Sequence, residues 1–66
     1  MKNNIKVQRA VNKLTQAELA SKIGVSRQTI NAMEKGKYIP STLLALKLSK
    51  LFEIPVEFIF QLEENE

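Results

Sequence analysis

The sequence predicts an all-α domain of five short helices. Three observations carry that expectation. Each apolar segment with helical spacing is preceded by a residue that starts helices: Asn4, Thr15, Ser26, Ser41 or Pro55. Gly24 and Gly36 stand where two of those segments stop. Only Gly24 and Val25 separate one stop from the next start, so the second and third helices must form a tight pair.

The first helix is expected from about Asn3 or Asn4 to Asn12, capped by Asn4. Val7, Ala10, Val11 and Leu14 fall at i, i+3, i+4 and i+7 and form its apolar face. Ile5 lies off that stripe, and Gln8, Arg9 and Asn12 take the other side. Thr15 opens the second helix with a capping box, TQAE: its hydroxyl accepts from the Glu18 N–H, and Glu18 reaches back to the Thr15 N–H. Leu19, Ala20 and Ile23 make the buried stripe, with Leu14 leading in.

Ser26 caps the third helix, which runs to about Glu34 or Lys35 before Gly36. Ile30 and Met33 face inward; Arg27, Gln28, Asn31 and Lys35 face outward. A connection this short makes the two helices cross steeply, as in a helix-turn-helix spanning residues 15–36. After the loop KYIP, Ser41 starts a fourth helix from Thr42 to about Leu51, with Leu44, Ala45, Leu48 and Phe52 suited to the core. Leu43, Leu46 and Leu51 are left over, so this helix is apolar nearly all round and calls for a further cover. Pro55 opens a short fifth helix in which Val56, Ile59 and Phe60 point inward and Phe58 outward. FIFQL also suits a short strand, whose partner within the chain would be the extreme N-terminus.

Sixty-six residues allow one domain, 1–66. Cysteine and histidine are absent, which excludes disulfides and the usual Cys/His metal sites; no metal or cofactor is expected. No apolar run approaches the ~20 residues of a membrane span, and no leader is visible, so a cytoplasmic protein is expected. The net charge of +3 is unevenly spread. Ten cations and two acids give Lys2–Lys50 a charge of +8, and five glutamates give residues 53–66 a charge of −5. That basic body points to a polyanionic partner.

The run LTQAELASKIGVSRQTINAMEKGKYIPS resembles the Cro/Xre family of phage-repressor-type helix-turn-helix regulators, and among them small stand-alone bacterial repressors. The resemblance covers about Ile5 to Phe60. It implies a five-helix phage-repressor-like DNA-binding domain whose third helix enters the major groove of double-stranded DNA. Arg27, Gln28, Thr29 and Asn31 are then the base-contacting set, with the alternative for Thr29 that it turns towards a phosphate or back onto its own helix. Arg can fork onto guanine, Gln can pair with adenine, and Thr offers a hydroxyl and a methyl. Gln16, Ser26, Lys35, Lys37 and Tyr38 would hold the sugar–phosphate backbone. Arg9 and Glu34 would form a bridge that sets the tilt of the third helix. The family often has Gly or Asn where Glu53 stands, an acid at Phe58, and leucine or isoleucine at Gln8.

The expected function is sequence-specific transcriptional regulation, as a repressor binding an inverted-repeat operator. Paired half-sites call for a homodimer, formed by residues 42–63 with Leu43, Leu46, Phe58 and Leu62 at the interface. The alternative is a helical protein-interaction module or an antitoxin-like partner protein; a regulatory protein partner is left open. An enzyme is not expected. Ser, Thr, Lys and Glu sit at caps and on the surface, and so small a helical domain offers no obvious pocket.

Overall fold

The computed structural model describes residues 1–66. In chain order the elements are β1 (Lys2–Asn3), α1 (Ile5–Val11), α2 (Gln16–Ile23), α3 (Arg27–Glu34), α4 (Thr42–Phe52), α5 (Val56–Ile59) and β2 (Phe60–Gln61). The two strands pair antiparallel, Lys2 opposite Gln61 and Asn3 opposite Phe60, which ties the chain's two ends together. The Asn4 N–H extends this ladder to the Ile59 carbonyl at 3.0 Å.

Hydroxyl caps start the middle three helices. Thr15 Oγ1 accepts from the Glu18 N–H at 3.0 Å while the Glu18 carboxylate accepts from the Thr15 N–H at 2.9 Å, completing the capping box. Ser26 accepts from the Thr29 N–H, and Ser41 from the Leu44 N–H. The first helix departs from expectation here. Asn4 makes no side-chain cap; Asn3 Oδ1 instead accepts from the Ile5 N–H at 3.2 Å.

Four helices stop in one way. A residue at positive φ follows the helix: Lys13 (56°), Gly24 (77°), Gly36 (73°) and Glu53 (57°). The next N–H then bonds back across the last turn: Leu14 to Arg9, Val25 to Ala20, Lys37 to Ala32 and Ile54 to Ser49. Two of the four positions are not glycine, and there a Cβ is held in the left-handed region.

The core is one cluster of eleven buried residues from every helix. Ile5, Leu19, Ile30, Met33, Leu48 and Ile59 are sealed from solvent. Helix α1 corrects the sequence reading. Ile5 is fully buried, whereas Val7 and Val11 are 58% and 69% exposed and Ala10 also faces solvent. The inward face is Ile5, Gln8 and Arg9, at i, i+3 and i+4. A polar residue faces inward here because Arg9 has a partner there, described below. Along α4, Leu44, Leu48 and Phe52 are buried, Ala45 and Leu51 half-buried, and Leu43 and Leu46 exposed.

Candidate nucleic-acid interface

Helix α3 presents a polar arc to solvent. At about 100° per residue, Arg27, Asn31, Lys35 and Gln28 fall within an arc of about 100°. Ile30 and Met33, on the other side, are buried at 0% and 1% exposure. Arg27, Gln28 and Lys35 are exposed and Asn31 is half-buried. Ala32 lies next along the same arc, one turn after Gln28, and is half-buried. A small apolar residue there gave no signal in the sequence. Lys37 and Tyr38 continue the exposed surface into the following loop.

Thr29 does not join the arc. It is half-buried, and its hydroxyl lies 2.9 Å from Ser26 Oγ, so it is turned back on the helix cap. One hydrogen serves that contact, which leaves the other hydroxyl hydrogen of the pair free to donate outward.

A polar network fixes α3 from behind. Arg9 Nε donates to Glu34 Oε2 at 2.8 Å, and a second guanidinium nitrogen reaches Oε1 at 3.3 Å. The guanidinium also donates to the Leu14 carbonyl at 3.0 Å, on the chain just before α2. The two side chains are 16% and 8% exposed. Burial pushes the Glu34 carboxyl up, but hydrogen bonds from Arg9 and Gln16 outweigh it and leave the group below its ordinary value. Bonding to Glu34 correspondingly raises the Arg9 guanidinium.

Gln16 belongs to this network. Its Nε2 donates to Glu34 Oε1 at 3.1 Å and to Asn31 Oδ1 at 3.4 Å. A phosphate contact from the Gln16 side chain would have to share or replace these bonds. The backbone N–H groups of the first turn of α2 that Thr15 does not cap are a second source of outward donation there.

Besides Val7 and Val11 of α1, further large apolar side chains are exposed. Ile39, Leu43, Leu46, Phe58 and Leu62 are between 56% and 73% exposed. A groove of about 450 Å³ between the loop after α3 and α5–β2 is lined by Ile39, Pro40, Ala45, Leu46, Val56 and Phe60 among others. Its only polar side-chain groups are the hydroxyls of Ser41 and Thr42, and Met1, whose ammonium pairs with Glu66 at 3.0 Å, also lines it.

A family model described as helix-turn-helix matches residues 5–59, which is most of the chain. The chain belongs to the Cro/Xre-type helix-turn-helix family. An uncharacterized HTH-type transcriptional regulator of Methanocaldococcus jannaschii is 56% identical over 66 residues, covering both chains in full. One from Bacillus subtilis is 50% identical over 65 residues, 98% of each chain. Another, from Archaeoglobus fulgidus, is 47% identical over all of this chain and 93% of its own length. Membership makes the chain a DNA-binding transcriptional regulator of double-stranded DNA, not an enzyme. No helix is long and apolar enough to cross a membrane.

Proposed function

We propose that this helix-turn-helix protein is a cytoplasmic repressor that binds an inverted-repeat operator as a homodimer. The observation that carries the reading is the outward arc of α3, with Arg27, Gln28 and Asn31 all unburied enough to reach base edges. Arg27 is the guanine reader and Gln28 the adenine reader. Thr29 is the secondary member of the base set: its hydroxyl shares a hydrogen bond with Ser26, and its methyl is left for thymine contact. Ser26, Lys35, Lys37 and Tyr38, with the N–H groups at the start of α2 around Gln16, hold phosphates and set register.

Repression is the direct consequence of a helix-turn-helix occupying promoter DNA, where it competes with the transcription machinery for the same duplex. The exposed Leu43, Leu46, Phe58 and Leu62 supply the second-copy contact that paired half-sites require. Domain limits follow: residues 15–36 read DNA and residues 42–63 dimerise.

Selection from random duplexes tests this. Recovery of an inverted repeat with half-sites about one helical turn apart is expected. No enrichment even at low salt would instead favour a protein-interaction module or antitoxin-like role, with the apolar α4–α5 surface as the working part. Joining the recovered site to a promoter and reporter then separates repression from activation.

A further inference from the structure

We propose that Gln16 is a positioning residue that sets which end of the Asn31 amide meets the DNA, and so which base Asn31 accepts. The inference rests on the reading of Asn31 as a base contact.

Amide orientation is normally ambiguous, because the oxygen and nitrogen of Asn or Gln are interchangeable in shape. Here the chemistry removes the ambiguity in two steps. Glu34 is held ionised by Arg9, and an ionised carboxylate only accepts. Gln16, 3.1 Å from Glu34 Oε1, must therefore present its NH₂ group there. The same nitrogen lies 3.4 Å from the Asn31 side chain and carries one more hydrogen. Asn31 must then answer with an acceptor, its Oδ1. Its own NH₂ group is left to lead toward the groove.

The order is thus Arg9, Glu34, Gln16, Asn31, each group fixing the next. It starts at α1, crosses the helix pair and ends on the outward arc of α3. A donor-led Asn31 suits an acceptor edge. Guanine presents two acceptors in the major groove, N7 and O6; adenine presents N7 beside a donor, and cytosine presents a donor. The Oδ1 that adenine N6 would need is held facing Gln16, with one of its two lone pairs engaged there. We therefore expect Asn31 to read guanine in preference to adenine or cytosine.

The test is base preference at a single operator position, measured by selection from random duplexes and competition binding. Asn31→Ala identifies the position: preference there should flatten while other positions stay. At that position the wild type should favour guanine. Gln16→Ala frees the amide to turn and should lower the guanine-to-adenine ratio about tenfold, with preferences elsewhere unchanged. Gln16→Lys keeps a donor for both Glu34 and Asn31 and should restore the wild-type ratio. A thermal melt of each variant confirms folding.

If Asn31→Ala alters no position, the base-contact reading of Asn31 fails. If it does alter one, but Gln16→Ala weakens binding to all duplexes equally and leaves that position's ratio intact, the positioning role is overturned. An adenine preference in the wild type at that position overturns it as well.

Discussion

Arg9 and Glu34, 25 residues apart in sequence, meet at 2.8 Å and join α1 to α3. The contact is two-pronged on the carboxylate, and the same guanidinium reaches the Leu14 carbonyl. Fork geometry of this kind is available to arginine and not to lysine. Because both side chains are largely covered, removing one strands the other away from water. Arg9→Ala should destabilise the fold by about 2–3 kcal/mol, a little below the usual cost of breaking a fully buried pair. Arg9→Lys should lose roughly half of that, because an ammonium cannot serve Glu34 and Leu14 together. Urea unfolding of the three proteins checks the order. Equal stability of Arg9→Ala and wild type would show the pair to be energetically idle.

The same pair predicts an acid limb in stability. Glu34 titrates below its ordinary value of 4.5 when folded. A carboxylate depressed by folding contributes its full stabilisation above the unfolded value. That contribution is lost as pH falls from about 4.5 through the depressed folded value. Glu18, lowered by the Thr15 N–H and hydroxyl of the capping box, acts in the same direction. Wild-type unfolding free energy should therefore drop on acidification below that value. Glu34→Gln should start less stable and fall less steeply, and Glu18→Gln added to it should flatten the slope further. Denaturant titrations at stepped pH measure both slopes.

Helix α1 also marks where sequence reading stops. The capping box at Thr15, the stop at Gly24 and the start at Ser26 were legible because each depends on residues within one turn of itself. The terminal strand pair was readable as FIFQL with one available partner. The face of α1 was not. Periodicity favoured Val7, Ala10 and Val11, yet these are exposed and Ile5 is buried. Hydropathy counts Arg9 as an outward residue, whereas an acid 25 positions away makes it an inward one. The resemblance to Cro/Xre regulators supplied the pair, but nothing local to α1 did. The hydrogen bonds of Gln16 and Thr29 were hidden for a similar reason: their partners, Glu34, Asn31 and Ser26, are assigned only by folding or capping geometry.

Glu53 ends α4 at φ 57° and ψ 40°. A side chain with a Cβ costs about 1–2 kcal/mol in that region, and glycine does not pay it, though glycine loses about 0.5–1 kcal/mol through its freer unfolded chain. Glu53→Gly should therefore stabilise by about 0.5–1 kcal/mol. Lys13→Gly, at φ 56°, should do the same at the end of α1. A rise in Tm with unchanged DNA affinity is expected for Glu53→Gly. A fall in Tm would show that the turn draws on the glutamate for something beyond its backbone.

DNA contacts of the two kinds should separate in salt. Lys37 is exposed in the loop after α3 and makes no ion pair within the chain. If it holds a phosphate, Lys37→Ala should weaken specific and random duplexes alike and lower the salt slope by about 0.9. Arg27→Ala should cost about 1–3 kcal/mol on the operator and much less on random DNA. Titrations at several salt concentrations distinguish the two. A Lys37→Ala slope equal to wild type would remove it from the backbone set.

Leu46 and Phe58 are 56% and 61% exposed, on separate helices that both border or adjoin the apolar groove. Side chains that exposed contribute little to the monomer's own core, so replacing them should leave the fold intact. In a two-fold contact each would be buried twice over, once on each copy. Leu46→Glu and Phe58→Glu should therefore yield folded monomers of 7.5 kDa where wild type sediments at about twice that mass. Helical circular dichroism should not change. Binding to a single half-site should survive, and the advantage of the full inverted repeat should disappear, because the two recognition helices are no longer linked. A wild-type chain that sediments only at 7.5 kDa at micromolar concentration would refute the dimer outright. Variants that remain dimeric would move the interface off this surface and leave the exposed leucines to some other partner.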